Sequence, residues 1–344
     1  MSKYSECKID SLEDIFSFLD EMRKTTTKFI YRGQGNANWK LRTSLERNLN
    51  ILREHILKND EDSMWRAFIE VNGIEQSVLY DFKRMAHHFI SQDIPDDEDI
   101  IEWLSLIQHY HGQTRLLDFT YSFFVALYFA IVDNLKDRCH AAVYILNPFV
   151  VNQLGKLIKD VDTNSKIVKN KNIPRNEYWS YHLAEIVAAY FLDKREIIKL
   201  NPYGVIIVEP YRKNKRILMQ NGCFLFPLNT GVPLVRNLEK MFDNFVIKEN
   251  NYESLAAIRN IKEFKIAELI DHALLKLIIP EYLKNDIYYY LMLMNINDNT
   301  LFPDLNGALK GISRKFDPHK TPNFDKEMEE EKKFFDFLKV SKNQ

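Results

Sequence analysis

A chain of 344 residues with 46% hydrophobic and 28% charged content, and only 10 glycines and 11 prolines, excludes disordered, collagen-like and low-complexity classes. With 47 basic residues against 48 acidic ones, it has no global attraction to nucleic acid or to an anionic membrane. Three widely separated cysteines, Cys7, Cys139 and Cys223, give neither a disulfide framework nor a zinc spacing.

The opening MSKYSECKID lacks the apolar core of a secretory signal, and no apolar stretch is long enough to span a bilayer, so a cytoplasmic protein is expected, with no membrane partner. Ser11 and Asp14 form a capping-box-like start, and Ile15, Phe16, Leu19 and Met22 recur at helical spacing, predicting a helix over 11–24. Lys28 to Arg32 reads as a short strand running into Gly33. From Ser44 to about Gln92 the spacing is helical. Ile94-Pro95-Asp96-Asp97 breaks it, and 97–110 resumes with Ile100, Ile101, Leu104 and Ile107 on one face. His111 to Thr120 reads as an irregular turn, and Phe123 to Val132 as a core helix, apolar nearly all round.

Beyond it, strands are predicted at Ala141–Leu146, Gly204–Val208, Cys223–Phe226, Ala256–Phe264 and Leu274–Ile279. A helix is expected around Tyr181 to Leu192, another after Pro280, and a charged helical tail toward the end. The stretch from Lys156 to Arg175 carries six basic and two acidic residues and reads as a mobile basic loop. Helices first, then strands mixed with helices, predict an α+β fold: a helical N-terminal part packed on a mixed, mostly antiparallel sheet. The division expected is an N-terminal helix in 1–27, a main domain in 28–315 with a helical insertion at about 44–110, and the tail in 316–344.

Three segments carry side chains suited to chemistry. In Tyr31-Arg32-Gly33-Gln34-Gly35, a guanidinium at a strand end can fork onto phosphate or carboxylate, and the glycines let backbone approach a ligand. The alternative is that Arg32 pairs with a carboxylate and the glycines only turn the chain. In Gln108 to Thr120, polar and aromatic groups including His109, Thr114, Arg115 and Asp118 crowd the entrance to the apolar helix. Asp118 or Thr120 would cap that helix, and Tyr128 on it offers a phenol able to stack on a flat ring. A rigid corner, with Arg115 bonded locally, is the plainer reading for Arg115 and Asp118. The third segment runs from the basic 212–216 through Arg216 to Gln220, Gly222 and Cys223. Cys223 reads as a small buried hydrophobe. His87-His88 make a poor metal pair, no metal site is expected, and Glu185 is a candidate buried carboxylate.

Together these segments resemble the FRG domain family of bacterial and phage proteins, named for a Phe-Arg-Gly motif that appears here as Tyr31-Arg32-Gly33-Gln34, trailed by Trp39, Leu41, Ser44, Leu45 and Arg47. Gln108 to Ala130 is similar to the family's Gln-His-Tyr-Gly…Thr-Arg-Leu-Leu-Asp-Trp-Thr run entering an Ala-Leu-Tyr-Phe-Ala helix, with Phe119 in place of Trp and His111 added. Arg216, Gln220, Gly222 and Phe224 resemble a third block, and Leu301 to Gly307 a closing one.

A more distant resemblance to the ADP-ribosyltransferase fold implies an NAD-using toxin or defence effector. On that resemblance Arg32 clamps NAD, Tyr128 stacks on nicotinamide, Gln220 orients the ribose where such enzymes often place Glu, and Glu185 or Glu209 supplies the missing carboxylate. Tyr31, Gly33, Gln34, His109, Thr114, Arg115, Thr120 and Arg216 would line the cofactor. The alternative is a non-catalytic nucleotide- or RNA-binding sensor using the basic loops at 156–175 and 212–216. A nucleotide ligand is the expected partner, with a protein or nucleic-acid target left open and the oligomeric state undetermined.

Overall fold

The computed structural model describes residues 4–49, 61–90, 94–149, 203–241, 258–271 and 273–314, with single positions at 151, 255, 329, 330, 332 and 333. In chain order the elements are β1 (Tyr4–Lys8), α1 (Leu12–Met22), β2 (Ile30–Gln34), α2 (Ser44–Asn48), α3 (Glu61–Phe89), α4 (Ile100–His109), β3 (Leu117–Thr120), α5 (Phe123–Ile131) and β4 (Ala141–Leu146). There follow β5 (Val205–Val208), α6 (Lys215–Met219), β6 (Gly222–Pro227), α7 (Leu234–Met241), α8 (Ile266–Asp271), β7 (Leu274–Ile279), α9 (Lys284–Leu293), α10 (Asp298–Leu301) and α11 (Leu305–Arg314). The strands form one mixed sheet in the order β1-β7-β4-β2-β3-β6-β5. Among the described strands β1 pairs with β7 in parallel and the other pairs are antiparallel. The α+β class follows.

Strand alternation divides the core by sheet face. Ile30, Leu117, Phe119, Ala142, Tyr144, Leu146, Val205, Ile207, Cys223 and Leu225 belong to one continuous cluster on one face. The opposite face is divided. Over β1, β7, β4 and β2 it is covered by α1, α5 and α9, through Phe18, Ala126, Tyr128 and Ile287 against Tyr31, Val143 and Leu277. Over β6 and β5 it is covered by α3 and α4, through Leu79, Trp103, Leu104 and Ile107 against Ile206, Val208, Phe224 and Phe226. β4 and β7 are buried at every position, which is why they read as nearly continuous apolar runs rather than alternating ones, broken in β7 only by Lys276.

The two groups of helices are separated by a break in the sheet. β2 and β4 share five register pairs, whereas β2 and β3 meet only at Tyr31 and Thr120. Past that point β3 is held by β6, at four positions, and β2 by β4.

Several expectations change. A strand not expected from the sequence precedes the expected helix α1: β1 alternates Tyr, Ser, Glu, Cys and Lys, too short and polar to stand out, and is fixed by its parallel partner β7. With Cys7, Ile9, Ile15 and Phe18 in the same core cluster as α5, residues 4–22 are part of the sheet and its cover. The irregular turn of 111–120 ends in β3. The strand expected over 256–264 is, where described, a short 3-10 turn at Ile261–Glu263. The helix around 181–192, with Glu185, and the basic loop at 156–175 lie outside the described residues.

The start of α1 is not a capping box. Ser11 makes no cap bond; its hydroxyl donates to Asp14 Oδ1 at 3.0 Å. Asp14 is buried, and burial pushes its carboxyl up. That is outweighed by the Lys262 ammonium at 2.8 Å, the Asp10 N–H at 2.7 Å, the Asn260 amide and the Ser11 hydroxyl, leaving it at about 2. A depressed carboxylate stabilises the fold above its unfolded value and loses that contribution as pH falls through the folded one. Asp14→Asn is therefore expected to remove on the order of 2 kcal/mol at pH 7. It should also flatten the fall in stability between pH 4 and 2, as read by urea denaturation across that range. An unchanged acid limb would show that Asp14 is not its source.

Candidate functional site

Where β2 and β3 part, a cleft of about 460 Å³ opens between the two groups of helices. Its floor is Tyr31, Arg32 and Gly33 from β2 with Leu117 to Thr120 from β3. Its walls come from the end of α4 (Ser105, Gln108, His109), the loop after it (His111, Gly112), Phe129 of α5, α2 (Ser44, Arg47), α6 with Gln220, and Phe224 of β6. A volume of this size suits a nucleotide-sized ligand.

Electrostatically the cleft is cationic. Among its described lining residues three guanidiniums, Arg32, Arg47 and Arg216, face one carboxylate, Asp118. Arg32 Nη1 donates to the Asp118 carbonyl at 2.8 Å and lies 4.0 Å from its carboxylate. Its side chain is 18% exposed and its Nε is buried without a hydrogen-bond partner. Burial pulls the Arg32 guanidinium down from its usual range, partly offset by Asp118, while Arg47 pulls it further down. An arginine stays charged regardless, so this cost is a standing demand for a negative group. Arg216 lies over the Phe302 ring at 4.4 Å; burial lowers it too, and Asp118 and Asp304 oppose the change.

The carboxylate is held by a short relay. Thr114 Oγ1 donates to Gln108 Oε1 at 2.5 Å, and Gln108 Nε2 donates to Asp118 Oδ1 at 2.7 Å. His109 ends α4, and its Nδ1 is buried without a partner. Burial lowers its pKa, and Arg216 adds to the shift while Asp304 opposes it.

The structure sorts the expected site residues into two groups. Arg32, Tyr31, Gly33, His109, Thr120, Arg216 and Gln220 all border the cleft. Gln220 is anchored at two points: its Nε2 donates to the Leu301 carbonyl at 3.0 Å, and its backbone carbonyl accepts from Thr120 Oγ1 at 2.6 Å.

Gly33 is there for packing. A Cβ would meet Ala126 O at 2.0 Å and Ala130 N at 2.5 Å, so the glycine lets α5 lie against β2.

Tyr128 does not reach the cleft. It is fully buried in the α5–α9 core, stacked on Tyr288 at 6.4 Å, and burial pushes its phenol far up. Successive helical residues point about 100° apart. The ring that borders the cleft is therefore the next one, Phe129, edge-on to Phe302 at 6.0 Å.

Arg115 and Thr114 are also interior. Arg115 is fully buried, its Nε 2.6 Å and Nη2 2.5 Å from Glu75 Oε2, with its N–H on Glu75 Oε1, Asn72 alongside and Phe226 beneath. It does not pair with Asp118. Thr114 joins α2 to the loop, its carbonyl accepting from Ser44 Oγ and the Leu45 N–H, and so it places Arg47 indirectly. Gln34 is buried away from the cleft, with Nε2 on the Lys40 carbonyl at 3.3 Å. The helix cap expected from Asp118 or Thr120 is Ser122, which accepts from the Val125 N–H. Glu209 binds the Tyr121 hydroxyl at 2.7 Å and Lys213 at 2.5 Å, and supplies no carboxylate to the cleft.

Sequence reasoning passed over Phe129 and Gln108 as cleft residues and gave Asp118 a structural part. Arg47 stood in the motif's trailing pattern without a role. The basic run 212–216 is not a continuous patch: Arg212 pairs with Asp96, Lys213 with Glu209, and Arg216 turns into the cleft. Cys223 is buried, and burial pushes its thiol well up. Among the described residues no group of three or more His, Cys, Asp or Glu could hold a metal ion, and no helix is long and apolar enough to cross a membrane.

Fold and site thus define a mixed α+β protein whose sheet opens into a cationic cleft. Residues 27–139 match the family model of the FRG domain. That span runs from just before β2 into the loop after α5 and carries the described lining of the cleft except the part from residues 214–220 and Phe224 of β6. The blocks at 216–224 and 301–307 lie beyond it. Neither a curated protein nor a solved structure matches the chain.

Proposed function

We propose that the protein binds a phosphate-bearing nucleotide in the gap between β2 and β3. The observation that carries this reading is that, among the described lining residues, three guanidiniums, with Arg32 Nε buried and unpartnered, stand against one carboxylate, Asp118. Arginine forks match phosphate oxygens, and a partly desolvated arginine gains most from an anion. Phe129 borders the cleft beside the charged groups, which suits a base or another flat heterocycle.

NAD is the nucleotide that the resemblance to ADP-ribosyltransferases singles out. In that reading the bond from ribose to nicotinamide breaks with its electron pair leaving on nicotinamide, and water or a target group bonds to the sugar carbon in its place. Positive charge develops on the sugar as this happens, so a nearby carboxylate lowers the barrier. Asp118, oriented by Gln108, is the group for that task, in place of Gln220 or Glu185. Arg32, Arg47 and Arg216 would hold the pyrophosphate, and Phe129 takes the stacking role first given to Tyr128. Action as a toxin or defence effector would follow from depletion of NAD or modification of a target.

Calorimetric titration with inorganic pyrophosphate, ADP and NAD tests the binding. All three are expected to bind, more weakly as salt rises. Arg32→Gln and Arg216→Gln should each lose about tenfold or more, the scale of one charge-assisted hydrogen bond. If the parent binds none of the three, the reading is wrong. Release of nicotinamide from NAD, abolished by Asp118→Asn, tests the chemistry separately. Binding without release would leave a nucleotide-binding protein that does not turn NAD over.

A further inference from the structure

This inference rests on the nucleotide reading and names a further contact in the same cleft. α4 ends by reversing the chain: the His111 N–H donates to the Gln108 carbonyl at 3.0 Å and the Gly112 N–H to the Ile107 carbonyl at 2.8 Å. These two bonds satisfy carbonyls that a helix end leaves open, and they require a left-handed residue at the bend. That residue is His111, with φ 64°. Glycine is the usual occupant, since a Cβ is strained there, and asparagine the usual substitute. Asn221 (φ 48°) and Asn295 (φ 60°) fill the other non-glycine positions of this kind among the described residues.

The glycine of this loop sits one place further on. At Gly112 a Cβ would meet Ile107 Cγ2 at 2.4 Å and the Ile107 carbonyl at 3.0 Å. The chain therefore needs its glycine at 112 for packing and carries an imidazole where the backbone would prefer none. The two bonds that close the bend are backbone ones, and they place no demand on the side chain at 111. His111 is exposed, and its imidazole makes no hydrogen bond among the described residues. It borders the cationic cleft beside His109. Backbone strain retained at the rim of a site is characteristic of residues kept for what they bind.

We propose that His111 is a ligand-binding residue: its imidazole donates a hydrogen bond to a phosphate oxygen of the nucleotide held by Arg32, Arg47 and Arg216. Either neutral tautomer, or the cation, presents an N–H for this. His111 then adds a contact from the α4 side of the cleft that the arginines do not supply.

The test sets stability against affinity in His111→Gly and His111→Asn. His111→Gly relieves the strain and is expected to raise the melting temperature by about 1–3 °C. It should also weaken both pyrophosphate and ADP about five- to tenfold, as the loss of one hydrogen bond to an anion does. His111→Asn, which tolerates the left-handed backbone but has a shorter reach, should weaken both probes without lowering stability. A purely structural residue would move stability and affinity in the same direction. The inference fails if His111→Gly binds both probes as the parent does, if only ADP binding drops (placing the contact on base or sugar), or if the melting temperature falls. A parent that binds neither probe defeats the nucleotide reading and this inference together; a parent that binds, with His111→Gly equal to it, defeats the inference alone.

Discussion

Arg115→Met is expected to cost about 3–5 kcal/mol of stability, the range for breaking a buried ion pair by removing one partner. The arginine is fully enclosed and satisfies Glu75, which is 1% exposed, through its Nε, its Nη2 and its backbone N–H. Methionine fills much of the same volume, so the loss comes from leaving the Glu75 charge in the interior without its partner. Urea unfolding measures it. The double variant Glu75→Gln, Arg115→Met should recover part of the loss, because it removes the stranded charge along with its partner. A single-variant loss under about 1 kcal/mol would mean that water or a rearranged neighbour satisfies Glu75, against the burial seen here. The pair joins α3 to the segment just before β3, so this variant should also weaken ligand binding by loosening the strand that carries Asp118.

Gly33→Ala should be of comparable size, about 3 kcal/mol or more, toward the upper end of overpacking costs. The added methyl would lie 2.0 Å from the Ala126 carbonyl oxygen and 2.5 Å from the Ala130 nitrogen, both backbone atoms of α5. Neither can turn aside, so the helix must lift from β2 or the strand must shift. Either movement displaces Phe129 and Arg32 together, and affinity for pyrophosphate should fall with stability. Gly35→Ala is the control. Its methyl meets the Asn134 side-chain amide at 2.7 Å, which can rotate away at the expense of its bond to the Gly35 carbonyl. A loss of about 1 kcal/mol is expected there. Equal melting temperatures for the two variants would contradict the close approach of α5 to β2.

Much of the framework is local and could be read residue by residue. The apolar runs of β4 and β5, the nearly apolar run of β7 around Lys276, the helical spacing of α1 and α4, and the all-round apolar α5 each announce themselves in a window of a few residues, because burial leaves its mark on local composition and periodicity. Where burial was decided by a distant partner, the reading failed. β1 is a polar pentapeptide until β7 pairs with it, and Leu117–Thr120 looks like a turn until β6 does.

The candidate site divides along the same line. Arg32, His109 and Arg216 were singled out for their chemistry, and all three border the cleft. Tyr128 was chosen for its phenol, but one residue of helical rotation sends it into the core and turns Phe129 outward. For Arg115 the sequence offers a ligand or a local partner, whereas its partner in the fold is Glu75, forty residues upstream on α3.

What the chain determined by itself is the set of segments able to be strand or helix, and the short motifs in which arginine, histidine and glycine are concentrated. The tertiary structure alone decided that the sheet parts after Tyr31 and Thr120, which guanidiniums meet there, and which face of α5 looks into the gap. The reason is physical. Periodicity records which side of an element meets apolar surroundings, whereas a cleft is made by elements that fail to meet, and that is a property of their relative placement.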